Sequence, residues 1–303
     1  KIENTYFQED FRRADAQHLG ETQYVPQLVD AYREALLKTV NQDMIRRCRF
    51  RVLVAYDYRN LGWFFPPLLD SLGCYVTTVN SQDYSLQDIT VLVTKSQVEM
   101  GVLVNSNGDD VILISPRGDI ISDDRLMAIW AYIAFDNLGE KEIGVPVTAT
   151  SAVDVIACEM GRRVIRTRTH PRDVMEVTRE HMFQPLFDGS YLILRVLEHL
   201  QVRETDLVNL IDRIPAGVIC RREVECPWAV KGTVMRRLLE DVKNTRVELI
   251  DGLKIYSDEG WTLVLPDSED PVFRVVSEAG STEEAEQLAD FFAAKIEGYK
   301  SAG

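Results

Sequence analysis

The chain has 303 residues, of which 46% are hydrophobic and 27% are charged, and this is the composition of an ordinary globular protein. Its length predicts two or three domains. The formal net charge of -14 argues against nucleic acid as a partner, because no basic face stands out against this acidic background.

Hydropathy and cysteine usage narrow the class further. No apolar run is long enough to cross a bilayer, and the polar start "KIENTYFQEDFRR" lacks the apolar segment of a signal peptide. The five cysteines are widely spaced and form no CxxC pair. We therefore expect buried free thiols in a reducing cytoplasm, with no membrane partner.

The N-terminal part of the chain predicts a short tail and then a first α/β unit. Residues 1–24 are polar and contain no complete element, so we expect them to be the end of a preceding domain. "VPQLVDAYREALLKTV" has helical apolar spacing. "FRVLVAYD", "FFPPLLDSLG" and "CYVTTVN" then give strand, helix and strand, which predicts a βαβ unit over residues 25–93.

The same order of elements begins again near residue 94. "EMGVLVNS" and "DVILISP" are predicted strands, and "DDRLMAIWAYIAFDNL" is a predicted helix. A strand, a helix closed by Gly161 and the strand "RRVIRTR" follow, and another helix begins after Asp188-Gly189. This pattern predicts a second α/β unit over residues 94–205.

The remaining residues, 206–303, have a different pattern. "VECPWAVKGTVMRRLLEDV" is a predicted helix, and "VELIDGLKIYSDEGWTLVLP" alternates as an antiparallel hairpin does. A strand and a last helix follow, with Ser281 and Glu284 spaced as a capping box. The predicted class is α/β, with two consecutive mixed or parallel α/β/α sandwich domains followed by a smaller α+β domain.

Three such segments in this order, with these loops, resemble the α-D-phosphohexomutases, which include phosphomannomutase and phosphoglucomutase. The resemblance covers the chain from about Tyr24 to Tyr299 and corresponds to the second, third and fourth of that family's four domains. "KIENTYFQEDFRR" and "CPWAVKGTVMR" resemble the mutase-like part of proteins that carry a sugar-1-phosphate nucleotidyltransferase, of the mannose-1-phosphate guanylyltransferase type, ahead of it.

The resemblance implies phosphoryl transfer by four convergent loops, and the first of them carries a phosphoserine. That loop belongs to the family's first domain, and no serine of this chain lies in a matching context. The second loop, which the resemblance places in the third domain, reads DGDGDR and binds Mg²⁺. Here Asn105, Asn107 and Asp109 stand at its three carboxylate positions. Because Mg²⁺ depends on anionic ligands, we expect a turn between two buried strands, with a functional metal site as the alternative.

The sugar-reading loop of the family carries a GExSGH-type motif ahead of an Asp-Gly. Asp188-Gly189 survives here, but "MEVTREHMFQPLF" contains no Gly-Glu-x-Ser-Gly. Glu176 and Glu180 are the candidate substitutes for the glutamate of that motif, but neither has beside it the glycines that let a backbone approach a sugar. The resemblance therefore predicts that this site is deleted.

The phosphate loop of the family reads R-x-S-G-T-E-P, and Leu265 to Pro271 stand in its place. Leucine replaces the arginine, and three carboxylates have entered around Ser268, at Asp267, Glu269 and Asp270. A carboxylate about 4 Å from a phosphate charge is unfavourable by roughly 4 kcal/mol at an effective dielectric constant near 20. We expect this loop to repel phosphate.

One basic cluster occupies the place of the family's T-x-x-G-x-(K/R) loop, which helps to contact the substrate phosphate. It consists of Arg166, Arg168 and Arg172, with His170 where a glycine is usual. One interpretation is a solvated strand end paired with acidic neighbours. The other is an anion site centred on Arg168 and Arg172.

Three hypotheses follow. The favoured one is a catalytically degenerate module without a cofactor, in the same polypeptide as a nucleotidyltransferase or a mutase first domain. Its role would be assembly or regulation in hexose phosphate and nucleotide-sugar metabolism, with self-association left open. The second is an active phosphomannomutase or phosphoglucomutase that uses Mg²⁺ once its first domain is present. The third is an anion-binding module that uses the cluster from Arg166 to Arg172.

Overall fold

The computed structural model describes most of the chain. The described residues are 2–9, 11–15, 17–18, 20–21, 23, 25, 27–57, 61–121, 123–177, 185–215 and 217–301. In the described residues, the cysteines are unpaired thiols, as predicted. Cys74, Cys220 and Cys226 are buried, but Cys48 and Cys158 are exposed, so the expectation of burial was wrong for these two. None of the described helices is both long enough and apolar enough to span a bilayer.

The first α/β unit is built on a five-stranded sheet in the order β2-β1-β3-β4-β5. Its strands are β1 (Arg51–Tyr56), β2 (Tyr75–Asn80), β3 (Met100–Val104), β4 (Val111–Ile114) and β5 (Ile120–Ile121). Its helices are α2 (Gln27–Leu37), α3 (Gln42–Cys48), α4 (Phe65–Ser71) and α5 (Leu86–Lys95), with a 3₁₀ turn at Leu61–Trp63. A short helix, α1 (Ile2–Phe7), lies in the segment 1–24, so the expectation of no complete element there was wrong. β1 lies between two parallel neighbours and is buried from its second residue to its last, which explains its apolar run.

The boundary predicted at residue 94 cuts through this sheet and is corrected by the structure. β3 pairs in parallel with β1, with Val52 opposite Met100. α5 covers β3 so closely that a Cβ on Gly101 would lie 2.3 Å from the Val93 side chain. The strands that the sequence pattern assigned to a second unit therefore complete the first one. The loop between β3 and β4 belongs to the first unit as well, and not to the second unit as the sequence pattern predicted.

The second unit has a small parallel sheet and several buried helices. Its strands are β6 (Glu142–Pro146) and β7 (Arg163–Thr167). Its helices are α6 (Asp123–Asp136), α7 (Ala152–Glu159), α8 (Pro171–Val177), α9 (Gly189–Val202) and α10 (Leu207–Asp212). One continuous hydrophobic cluster runs from Leu36 to Ile214 and takes in both units. α10 extends this core beyond the predicted end at residue 205.

The C-terminal unit is an antiparallel sheet in the order β8-β12-β11-β10-β9, with two helices packed on it. Its elements are β8 (Val218–Glu225), α11 (Trp228–Asp241), β9 (Val247–Glu248), β10 (Leu253–Tyr256), β11 (Gly260–Pro266), β12 (Val272–Ala279) and α12 (Thr282–Ser301). The predicted α+β class and hairpin are confirmed, but β8 and β9 were missed. The Glu284 backbone N–H donates to Ser281 Oγ at 3.3 Å, which is one half of the predicted capping box.

A buried carboxylate joins the C-terminal sheet to the start of α7. Glu278, which is 5% exposed, accepts hydrogen bonds from the Thr150 hydroxyl, the Ser151 N–H at 2.8 Å and Trp261 Nε1 at 2.6 Å. Lys254, which is 2% exposed, lies over the Trp261 ring and donates to the Val147 carbonyl at 3.2 Å. These buried polar groups are paired, as buried polar groups must be, and they fix one unit on the other.

Replacement of Glu278 by alanine tests this junction. The variant removes the acceptor of the Ser151 N–H and of the Thr150 hydroxyl, leaves Trp261 Nε1 with Ser151 Oγ as its remaining acceptor, and removes a carboxylate near Lys254. We expect the free energy of unfolding to fall by about 3 kcal/mol in urea denaturation. Glu259→Ala, at an exposed turn, is the control and should change it by less than about 0.5 kcal/mol. Equal, small losses for both variants would contradict the assignment.

Lys254 predicts a specific pH dependence of stability. Burial, with a smaller contribution from Arg166, lowers the pKa of Lys254 from 10.5 to about 8. Between these values the unfolded chain binds more protons than the folded one, so stability rises with pH, by about 3 kcal/mol in total. Lys254→Met lacks this titration, so the stability of the wild type relative to the variant should rise over this pH range. If the difference in unfolding free energy between the wild type and the variant stayed constant over this pH range, the lowered pKa of Lys254 would be refuted.

Candidate functional site

The loop from Asn105 to Asp110 is a tight hairpin turn held by the first of its residues. Asn105 Oδ1 accepts the N–H groups of Gly108 at 2.9 Å and Asp110 at 3.3 Å, and its Nδ2 donates to Asp109 Oδ1 at 2.7 Å. Gly108 has φ +79°, a conformation that L side chains rarely adopt. The side chain of Asn105 is therefore engaged in closing the turn.

This turn offers a weak set of ligands to a hard cation. Of the three predicted positions, Asn105 and Asp109 contact each other, and Asn107 is exposed without a side-chain hydrogen bond to the described part of the chain. Among the described residues, no group of three or more His, Cys, Asp or Glu side chains is arranged to hold a metal. One carboxylate and two amides do not fit Mg²⁺, which needs anionic ligands to offset its dehydration.

The start of α9 packs directly against this turn. Asp188 caps the helix by accepting the Tyr191 N–H at 3.0 Å, and it also accepts the Tyr32 hydroxyl at 2.8 Å. A Cβ on Gly189 would lie 2.3 Å from Val111 and 3.2 Å from the carbonyl oxygen of Gly108. The Asp-Gly pair therefore has a structural reason here, because the helix begins where the hairpin backbone passes.

The predicted sugar-reading segment is described only in part. Residues 178–184, which include Glu180, lie outside the described residues. Glu176 lies on α8 and pairs with Arg172 at 3.3 Å. His170 Nδ1 accepts the Arg172 N–H at 3.1 Å and so helps to begin α8, a helix that the sequence pattern did not predict. The histidine at the usual glycine position thus contributes to a helix start.

An acidic cavity of about 260 Å³ lies between the hairpin turn and α6, and the sequence analysis missed it. Asp109, Asp110, Asp123 and Asp124 line it, together with Arg221. Burial raises the pKa of Asp110, and the nearby Asp123 and Asp109 raise it further. Burial also raises the pKa of Asp124, although Arg221 pairs with it at 2.6 Å. In the sequence, two Asp-Asp pairs could have indicated this cavity, Asp109-Asp110 and Asp123-Asp124.

The basic cluster is divided by the structure. Arg166 turns inward, where its guanidinium donates to the carbonyls of Ala149 at 2.6 Å and Thr150 at 3.0 Å and pairs with Asp154. Its inclusion in an anion site is therefore wrong, because its donors hold the segment between β6 and α7. Arg168 is exposed and forms no ion pair with the described residues. This leaves Arg168 and Arg172 as the cationic pair.

Arg168 and Arg172 face the predicted phosphate loop across a cavity of about 490 Å³. His170 and the segment 265–268 also line it, so the fold brings together two predicted segments that lie far apart in the sequence. Asp251 accepts the Thr169 N–H at 2.9 Å and its hydroxyl at 2.5 Å. This contact joins the basic loop to the C-terminal sheet.

The predicted phosphate loop is closed by its own first acid. Asp267 Oδ1 accepts the N–H groups of Glu269 at 2.8 Å and Asp270 at 2.9 Å, and Arg274 Nε donates to Oδ2 at 2.7 Å. These backbone hydrogen bonds, followed by Arg274, lower the pKa of Asp267. Ser268 lines the cavities on both sides of the loop. Of the three acids in this loop, Asp267 alone accepts hydrogen bonds from the loop's own backbone among the described residues.

Comparison with known proteins places this cleft in context. The "Probable phosphoglucosamine mutase" of Methanopyrus kandleri is 26% identical over 262 residues, covering 75% of the chain and 57% of that protein. The phosphoglucosamine mutase of Methanocaldococcus jannaschii is 24% identical over 325 residues, covering 96% of the chain and 72% of that protein. The chain thus spans between about three fifths and three quarters of the length of these relatives.

A solved structure shows the same fold. The crystal structure of a phosphoglucomutase/phosphomannomutase family protein from Burkholderia thailandensis matches 99% of this chain and 69% of that chain, with a TM-score of 0.75 and 20% identity. No family model matches the sequence. The fold and the homologous sequences therefore agree on one family of relatives.

Asn105→Ala tests the structural role of the turn. The variant leaves the N–H groups of Gly108 and Asp110 without their side-chain acceptor, so the free energy of unfolding should fall by about 1–2 kcal/mol in urea denaturation. Asn107→Ala is the matched control and should lower it by less than about 0.5 kcal/mol. Losses of equal size would show that Asn105 does not hold the turn.

Proposed function

This chain is a homologue of the α-D-phosphohexomutases, and from that premise we propose that it is a module of hexose phosphate metabolism that does not itself transfer phosphoryl groups. It keeps the family's fold and contributes assembly or regulation to a longer polypeptide. The resemblance of its first residues and of "CPWAVKGTVMR" to nucleotidyltransferase-linked modules supports a nucleotidyltransferase as the attached enzyme.

The observation that carries the proposal is the state of the hairpin turn. Phosphoryl transfer needs a cation or arginine groups to neutralise the charge that develops on the phosphoryl oxygens. Both polar atoms of the Asn105 amide are hydrogen-bonded within the turn, and the Asn107 side chain is uncharged. The four carboxylates of the adjacent cavity would repel a phosphosugar rather than attract it.

Calorimetric titration of the full chain with hexose 6-phosphates and Mg²⁺ tests this proposal. Glucose, mannose and glucosamine 6-phosphates should give no binding heat that depends on Mg²⁺. A 1-phosphate product should not form. Micromolar binding that requires Mg²⁺, or interconversion of the 6- and 1-phosphates, would overturn the proposal in favour of an active mutase. Binding without Mg²⁺ that is lost in an Arg168→Gln, Arg172→Gln variant would favour the anion-binding module instead.

A charge-restored variant serves as the positive control for the metal. Asn105→Asp with Asn107→Asp gives the turn three carboxylates on alternate residues, the arrangement that suits Mg²⁺. Without a cation these carboxylates repel one another, so Mg²⁺ should raise the melting temperature of this variant and leave that of the wild type unchanged. Equal Mg²⁺ effects on the two proteins would refute the argument from ligand charge.

A further inference from the structure

The loop from Asp267 to Asp270 has the parts of an oxyanion site. Two adjacent backbone N–H groups, those of Glu269 and Asp270, point at one position, and the Arg274 guanidinium approaches it from β12. Convergent N–H groups beside a guanidinium are a common way for proteins to bind phosphate. In this chain the position is taken by the carboxylate of Asp267.

A buried lysine fixes the ends of the same loop. Lys231, which is 7% exposed, donates from Nζ to the carbonyl oxygens of Asp267 at 2.7 Å and Asp270 at 2.6 Å. The Trp228 ring covers this ammonium, with 3.8 Å between Nζ and the ring centroid. Both residues belong to the segment "CPWAVK", so this motif is used to hold the loop in one conformation.

Space for a ligand exists on both sides of the loop. One side faces the cavity of about 490 Å³ that Arg168 and Arg172 line. The other faces a cavity of about 430 Å³ that Arg222 and Arg274 line together with Glu223, Glu269 and Asp270. The Asp267 side chain is 14% exposed, and its carboxylate occupies the position between the two N–H groups. A ligand is therefore excluded from that position by this carboxylate, since the adjacent cavities leave room for one.

We propose that Asp267 is a built-in anion that keeps this oxyanion cradle filled. The cradle consists of the N–H groups of Glu269 and Asp270 together with Arg274, and Lys231 is a positioning residue that holds it in shape. The wild type then takes no free phosphate here, while loss of the carboxylate opens the cradle to a tetrahedral oxyanion. This inference deepens the proposed function, on which it rests for the silence of the wild type toward sugar phosphates.

Asp267→Ser tests the proposal, with inorganic phosphate as the probe. The full-chain variant should bind phosphate at least about tenfold more tightly than the wild type, because its N–H groups have lost their acceptor and Arg274 keeps only its longer ion pairs, with Glu223 at 3.8 Å and Asp270 at 4.0 Å. Calorimetry and the phosphate-dependent rise in melting temperature measure this, against sodium chloride at equal ionic strength. Glu269→Gln, which removes a nearby charge and leaves the cradle filled, should behave as the wild type does.

Two further variants keep the test decisive. Arg274→Gln in the Asp267→Ser background should abolish the gained binding, which locates it at the cradle. Asp267→Ala leaves no side-chain acceptor between the two N–H groups and decides the matter if the serine variant fails to fold. Its phosphate affinity should then exceed that of the wild type by about threefold or more. Folded variants at Asp267 that bind phosphate no better than the wild type would overturn the inference. Mutase activity of the wild type would instead overturn the proposed function.

Discussion

The cleft depends on the buried carboxylate of Glu278. It satisfies the N–H of Ser151 at the start of α7 and the Trp261 indole of the C-terminal sheet at the same time. Without Glu278 the Ser151 N–H would lose its acceptor, at a cost of about 1–3 kcal/mol, and Trp261 Nε1 would keep only Ser151 Oγ, so the two units have one favourable arrangement. That arrangement is what brings Arg168 opposite the loop at Asp267. The site is thus a consequence of the junction rather than of either unit alone.

Apart from Arg168, which is exposed and forms no ion pair with the described residues, the arginines named in the cleft are paired, and carboxylates are numerous. Arg166 binds carbonyls and Asp154, Arg221 binds Asp124, and Arg274 binds Asp267. Each guanidinium stabilises the protein's own polar groups. In such a site the paired arginines hold loops in place and are not available to bind a ligand. This is the physical basis on which we propose a structural or regulatory role.

Much of the architecture could be predicted from the sequence, because local patterns carry it. The apolar run of β1 and the Asp188 cap of α9 are readable from neighbouring residues, and both are confirmed. The sheet boundary could not be predicted, since the pairing of Val52 with Met100 joins segments that are separated by two α-helices and a strand. The repeated order of elements indicated two units but not which strands share a sheet.

Prediction of the site failed at a different level. The substitutions at Asn105, Asn107 and Asp267 were visible, but the direction of each side chain was not. Arg166 and Arg168 are two residues apart, yet the first is engaged by carbonyls of the segment before α7 and the second is exposed. Asp267 was read as a charge repelling ligands from outside, whereas it accepts hydrogen bonds from its own loop. Hydrogen bonds decide these directions, and composition does not record them.

The continuous core that joins the first two units has a practical consequence for dissecting the molecule. A fragment that ended near residue 94 would leave β1 with an unpaired edge and would remove Val98 and Ile114 from the apolar cluster around Ile89 and Val93, so it should aggregate. Ile214 is the last residue of the first hydrophobic cluster and Cys220 is the first buried residue of the C-terminal one, so the chain passes from one cluster to the other between α10 and β8. Truncation, domain exchange and insertion of a reporter should therefore be attempted between α10 and β8.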